Sequence, residues 1–292
     1  MTGEAGATTT KKETAMSASH GPARLRVEEA TIGYDGRTIS SGLNVEVPDR
    51  SFTVIVGPNG CGKSTLLRGL ARLIKPAAGR VTLDGRPLGS YRAKELAREI
   101  ALLPQSSIAP DGITVADLVA RGRFPHQSII RQWTPADEQA VASALAATGL
   151  TDLSPRQVAE LSGGQRQRVW IAMALAQQTP ILLLDEPTTY LDIAHQIDLL
   201  ELFTHLHRDG HTLVAVLHDL NQAARYATHL IAMRDGQVVA EGAPSEIITS
   251  ELVERVFGLS CLVVPDPVTG TPQIVPGARE CCSGCELASA RG

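Results

Sequence analysis

Two hydrophobic rhythms alternate along this chain. Compact apolar runs at 52–56, 100–103, 181–184 and 213–216 have the length of fully buried strands. Between them, apolar residues recur at helical spacing. Leu66, Leu67, Leu70, Leu73 and Ile74 fall on one face of a helix leaving the first run. Further helices are predicted over 195–206, stopped near Gly210, and over 220–227. Strands alternating with crossover helices imply an α/β fold with a mostly parallel core sheet. Stretches 25–34 and 43–47 instead alternate apolar and polar residues around an Asp35-Gly36 turn, which predicts an antiparallel β layer. Residues 81–83 lead to a second turn at Asp84-Gly85, and 230–233 with 238–240 form a hairpin around Asp235-Gly236. From about 106 to 168 the strand signal fades. There Thr134-Pro135-Ala136-Asp137 reads as an N-cap, an N1 proline and an acidic N3, opening a helix that runs to Gly149. The segment reads as an inserted helical subdomain.

Composition narrows the picture modestly. The chain has 292 residues, 43% of them hydrophobic, enough for a sizeable core. A net charge of −4 does not favour nucleic acid as a partner. No apolar run approaches the roughly 18 residues that span a bilayer. Residues 1–22 are rich in Thr, Ala, Gly and Lys without an apolar stretch, so they are expected to be a disordered leader rather than a secretory signal, on a cytoplasmic chain. Five cysteines fit a reducing compartment, because one of them, Cys61, lies inside a glycine-rich loop. Residues 261–292 form an extension whose Cys281, Cys282 and Cys285 are expected in a disordered tail; the other reading of that cluster is a metal or redox sensor.

Three motifs carry the chemistry. Gly57-Pro58-Asn59-Gly60-Cys61-Gly62-Lys63-Ser64, followed by Thr65, fits G-x-x-x-x-G-K-[ST]. In that loop glycines let backbone N–H groups curl around phosphate oxygens, Lys63 reaches the β/γ-phosphates and Ser64 offers a hydroxyl to Mg²⁺. Asp185-Glu186 places two carboxylates at the C-terminal edge of a buried strand, where ligands sit in open α/β sheets. The first suits Mg²⁺, and the second can orient or polarise an attacking water. Leu161-Ser162-Gly163-Gly164-Gln165 opens a helix reaching about Ala176, a second backbone anion site. Two such sites are more than one γ-phosphate needs.

With these motifs in this order, residues 25–260 strongly resemble the ATP-binding subunits of ABC transporters. The resemblance implies an ABC-type nucleotide-binding domain over 23–260, with ATP and Mg²⁺ as cofactors. Two copies would pack head to tail, each ATP lying between the phosphate loop of one chain and Ser162, Gly163, Gly164 and Gln165 of the other. It further implies that Tyr34 stacks on adenine, Gln105 senses Mg²⁺ and water, Asp192 contacts the dimer partner and His218 is the switch histidine, so that Glu186, His218 and Gln105 are catalytic and Ser64, Gln105 and Asp185 arrange the metal. Residues 121–127, 188–196 and 218–226 look like the ATPases of ferric-siderophore importers, whose relatives carry haem and vitamin B12. That implies a peripheral subunit on the cytoplasmic face of the cell membrane, joined to integral membrane permease subunits and, through them, to a substrate-binding protein. The alternatives are the ATPase of a haem or cobalamin importer and a soluble ABC-type ATPase of iron–sulfur cluster assembly. Arg121 and Arg123 read either as a solvated helix end or as a permease contact.

Overall fold

The computed structural model describes residues 21–34, 36–105, 108–128, 133–189 and 191–277. In chain order these form β1 (Gly21–Tyr34), β2 (Arg37–Asp49), β3 (Phe52–Val56), α1 (Lys63–Leu70), β4 (Ala78–Leu83), β5 (Arg86–Pro87), α2 (Ala93–Glu99) and β6 (Ile100–Leu103). Next come α3 (Val115–Ala120), α4 (Pro135–Ala147), α5 (Gly163–Ala176), β7 (Ile181–Asp185), α6 (Ile193–Arg208), β8 (Thr212–Val216) and α7 (Leu220–Tyr226). The chain closes with β9 (His229–Arg234), β10 (Gln237–Gly242), α8 (Pro244–Ile247), α9 (Ser250–Phe257), β11 (Cys261–Pro265) and β12 (Pro272–Pro276).

A six-stranded sheet in the order β10-β9-β3-β8-β7-β6 is parallel except for β10, and a four-stranded antiparallel sheet runs β2-β1-β4-β5. Both faces of the six-stranded sheet are covered, which is why its strands read as unbroken apolar runs. One face presents Val54, Leu182 and Leu184 to α6, where Phe52 meets Phe203 edge to face at 6.2 Å. The other presents Ile55, Leu183 and Val214 to α1, whose Leu66, Leu67 and Leu70 fill the gap to Leu25, Ile32 and Leu43 of the antiparallel sheet. A third core, built by Val115, Leu118, Leu145, Val169 and Ala172, sits among α3, α4 and one side of α5. Because Ile171 and Ala174 belong to the main core, α5 is shared between the two lobes.

Several expectations change. Helix α1 stops at Leu70 because the chain turns through a left-handed Arg72 (φ 58°), so Leu73 is exposed instead of extending the apolar stripe. β2 is far longer than 43–47, since irregular register against β1 around Ala30 and Ile32 breaks the two-residue alternation. β1 begins at Gly21, inside the span read as leader; residues 1–20 lie outside the described residues. Helix α4 has the expected capping box, with Thr134 Oγ1 accepting from the Asp137 N–H, but ends at Ala147, two residues early, before the left-handed Gly149. Arg123 is neither solvated nor available to a permease. It is buried, donating to Asp137 Oδ1 at 2.8 Å, to the Ala176 carbonyl at 2.7 Å and to Gln178 Oε1 at 2.9 Å; Arg121 is exposed. Part of the C-terminal extension is ordered as the β11–β12 hairpin, with Cys261 buried in the main core. Cys281, Cys282 and Cys285 lie outside the described residues.

Candidate active site

The loop from Gly57 to Gly62 carries the chain from the end of β3 to the start of α1. Two glycines make the path possible. Gly57 adopts φ 153°, and a Cβ there would come within 2.2 Å of the Met233 carbonyl; Gly62, at φ 102°, is the left-handed residue from which α1 springs. The turn aims the first-turn N–H groups of α1 into a cavity of about 500 Å³. Lys63 is buried at its rim and donates from Nζ to the carbonyls of Gly57 (2.8 Å) and Pro58 (2.9 Å). An ammonium has three donors, so one remains for a ligand.

Strand β7 delivers the carboxylates. Asp185 is 1% exposed, and its Oδ1 accepts from Ser64 Oγ at 2.7 Å. Its Oδ2 has no hydrogen-bond partner among the described residues and faces Arg68 Nη2 at 3.7 Å. Burial pushes the Asp185 carboxyl above the usual aspartate range, against the pull of Ser64 and Arg68. Glu186 follows in a left-handed conformation (φ 53°) that turns its side chain toward the loop. Each of its oxygens is held. Oε1 lies 2.8 Å from His218 Nε2, and Oε2 accepts from Gln105 Nε2 at 2.8 Å and from Thr189 Oγ1 at 3.4 Å. Burial raises the Glu186 carboxyl, but the hydrogen bond and charge of His218, with Gln105 and Lys63, outweigh it and hold the group below the usual glutamate range.

Of the residues singled out from sequence, Asn59, Gly60, Gly62, Lys63, Ser64, Thr65, Gln105, Glu186 and His218 line this one cavity. Gly57, Pro58 and the buried Cys61 belong to the loop but do not line the cavity; Cys61 donates its N–H to the Pro58 carbonyl, and its own carbonyl accepts from the Gly236 N–H. Burial raises the Cys61 thiol above the ordinary cysteine range. Asp185 stands behind Ser64. Tyr34 does not line the cavity; its hydroxyl accepts from Arg68 Nη1 at 3.2 Å. Ile39 of β2 does line it, and its neighbours Thr38 and Ser40 gave no nucleotide signal.

The start of α5 also lies elsewhere. Ser162 is a surface N-cap, its Oγ accepting from the Gln165 N–H (3.2 Å) while its own N–H donates to Gln165 Oε1 (3.0 Å). None of Ser162, Gly163, Gly164 and Gln165 lines the cavity. Asp192 caps α6, with Oδ1 accepting from the His195 N–H at 2.9 Å and lying 2.8 Å from His195 Nδ1. Among the described residues no helix is long and apolar enough to cross a membrane.

A phosphate loop feeding a helix, with an Asp-Glu pair at the end of a parallel strand one removed in the same sheet, defines a phosphate-loop nucleotide hydrolase of the α/β class. Comparison with known proteins narrows this. Residues 40–189 match the ABC transporter family. The chain is 60% identical over 258 residues to the ferric enterobactin transport ATP-binding protein FepC of Escherichia coli (strain K12), spanning 88% of this chain and 95% of that one. It is 49% identical over 256 residues to the petrobactin import ATP-binding protein FpuD of Bacillus anthracis, spanning 87% and 94%. A solved ATP-binding cassette, dimeric in a post-hydrolysis state bound to ADP and Pi, matches with a TM-score of 0.67 at 28% identity, over 75% of this chain and 98% of that one. The chain belongs to the ABC transporter family, as an ATP-binding subunit.

Proposed function

We propose that this chain hydrolyses ATP to drive import of an Fe(III)–siderophore complex, working as a head-to-tail dimer on the cytoplasmic face of a membrane permease supplied by a substrate-binding protein. The substrate class rests on the likeness to FepC and FpuD. The chemistry rests on one observation: Glu186, clasped between Gln105 and His218, opens onto the same cavity as Lys63 and Ser64.

In this reading the loop N–H groups and Lys63 bind the β- and γ-phosphates, and Tyr34 and Asp192 serve the adenine and the partner copy. Glu186, ionised at neutral pH, takes the proton of the attacking water or orients it through its remaining lone pairs. Gln105 and His218 fix the carboxylate, and His218 faces the γ-phosphate. Ser162 to Gln165 of the second copy would close over the nucleotide, since in their own chain they lie away from it. The donor set fits Mg²⁺: a hydroxyl and a buried carboxylate whose Oδ2 lacks a hydrogen-bond partner among the described residues are hard oxygen ligands. Ser64, Gln105 and Asp185 would hold the ion. When bound, Mg²⁺ neutralises charge across the β- and γ-phosphate oxygens.

The substitution Glu186→Gln tests the assignment. It should leave ATP binding intact while lowering turnover on the order of a hundredfold or more, and in iron-starved cells it should abolish uptake of radiolabelled ferric siderophore but not of labelled cobalamin or haem. Normal hydrolysis by the variant would remove Glu186 from the mechanism. Intact siderophore uptake alongside loss of another solute would reassign the cargo.

A further inference from the structure

We infer that Asn221 is a positioning residue for hydrolysis, through which the C-terminal β11–β12 hairpin sets His218 against Glu186. His218 stands two residues before α7, and Asp219 caps that helix, its Oδ1 accepting from the N–H groups of Asn221 (2.8 Å) and Gln222 (2.9 Å). The orientation of the His218 backbone is therefore tied to where α7 sits. A helix of seven residues has little rigidity of its own, so its placement depends on what grips it.

Two side chains of its first turn supply that grip. Asn221 makes a two-way pair with the backbone of Ile274 in β12: Nδ2 donates to the Ile274 carbonyl at 3.2 Å, and the Ile274 N–H donates to Oδ1 at 2.7 Å. The amide thus occupies the edge of β12 as a neighbouring strand would, satisfying both backbone groups. Ile274 is itself 6% exposed and belongs to the main core, so the hairpin is a fixed anchor. On the other side Gln222 Nε2 donates to Gln196 Oε1 at 2.9 Å, and Gln196 Nε2 donates to the Leu191 carbonyl at 2.9 Å. The segment following Glu186 is thereby linked to the helix following His218. Both partners of the 2.8 Å Glu186–His218 contact are referred to one frame, and the hairpin is the end of it that lies beyond the nucleotide fold proper.

None of these bonds touches the loop that binds phosphate. Loss of the Asn221 pair should therefore impair the chemical step and spare binding. The inference rests on the proposed ATPase reading, and the experiment separates the two. Steady-state ATPase kinetics of the full chain should show Asn221→Ala lowering kcat about fivefold, on the scale of one lost hydrogen-bonded pair, with KM for ATP within about twofold. Asn221→Asp, which keeps the acceptor for the Ile274 N–H and loses the donor, should fall between wild type and Asn221→Ala. In chain carrying ¹⁵N-labelled histidine, the His218 Nε2 resonance should move in Asn221→Ala as its contact to Glu186 loosens, and unfolding midpoints should show the variant still folded. An unchanged His218 resonance, or a loss expressed in KM, would reduce Asn221 to a structural clip and overturn the inference. Normal activity of Glu186→Gln would instead remove Glu186 from the mechanism, and the resonance would still report on the brace.

Discussion

The phosphate loop and the tip of α5 are both helix starts suited to anions, but their surroundings are opposite. The first lies in a cavity, with Lys63 buried, Asp185 behind it and Glu186 held on both oxygens. The second is exposed and satisfied by its own capping box. One chain therefore builds a receptor and a separate contact surface, and it does not bring them together. In the proposed head-to-tail dimer such a site would be completed only when a second molecule presents its surface, so its activity would depend on assembly as well as on folding.

The largest expected effect tests that division directly. Lys63→Ala and Gly164→Asp should each reduce hydrolysis on the order of a hundredfold or more, the second because Gly164 already has Leu191 Cδ2 within 3.1 Å of any added Cβ and would carry a negative charge where an anion is to dock. Mixed, the two inactive variants should regain activity, since heterodimers contain one composite site free of both changes. A mixture as inactive as its parents would mean that both regions act within one chain.

A smaller effect separates the two lobes by stability. Asp137→Ala leaves the buried Arg123 guanidinium without its carboxylate, expected to cost about 3–5 kcal/mol. Denaturant unfolding should register the loss, and hydrogen exchange should quicken in α4 and the later turns of α5 before β3 or β7. Uniform acceleration would show that the lobes do not open separately.

The smallest effect belongs to the antiparallel sheet. Arg24 grips Asp84 through two hydrogen bonds of 2.8 and 2.7 Å, and this contact holds the Asp84 carboxyl below the usual aspartate range. A lowered folded pKa stabilises the protein above the ordinary aspartate pKa, and the contribution is lost as pH falls through the lowered value. Asp84 is half exposed, so the amount should stay under about 1 kcal/mol. In urea titrations Asp84→Asn should remove that part of the acid-side slope and leave hydrolysis unchanged.

Legibility from sequence followed the locality of the signal. The loop, the strand-end Asp-Glu pair and the Ser162 cap are each specified within a few consecutive residues, because tight turns and caps demand particular side chains. The buried strands announced themselves as apolar runs for the same reason. What escaped depends on distant partners. Arg123 reads as surface because nothing nearby reveals that Asp137, Ala176 and Gln178 converge on it. Ile39 belongs to the cavity only through β2 passing the loop. The β11–β12 hairpin had a signal, the apolar run 262–264 before a turn held by Asp266, whose Oδ1 accepts from the N–H groups of Val268 and Thr269. It was obscured by prolines at the strand ends, which are tolerated because among the described residues the hairpin is two-stranded and pairs with no other strand.

The left-handed backbone at Glu186 has a consequence for engineering. A side chain in that conformation costs roughly 1–2 kcal/mol that glycine would avoid. A selection for heat resistance, blind to turnover, would thus favour replacing the residue on which hydrolysis is proposed to depend. Libraries built to toughen this protein should hold position 186 fixed, because there the most durable sequence and the working one diverge.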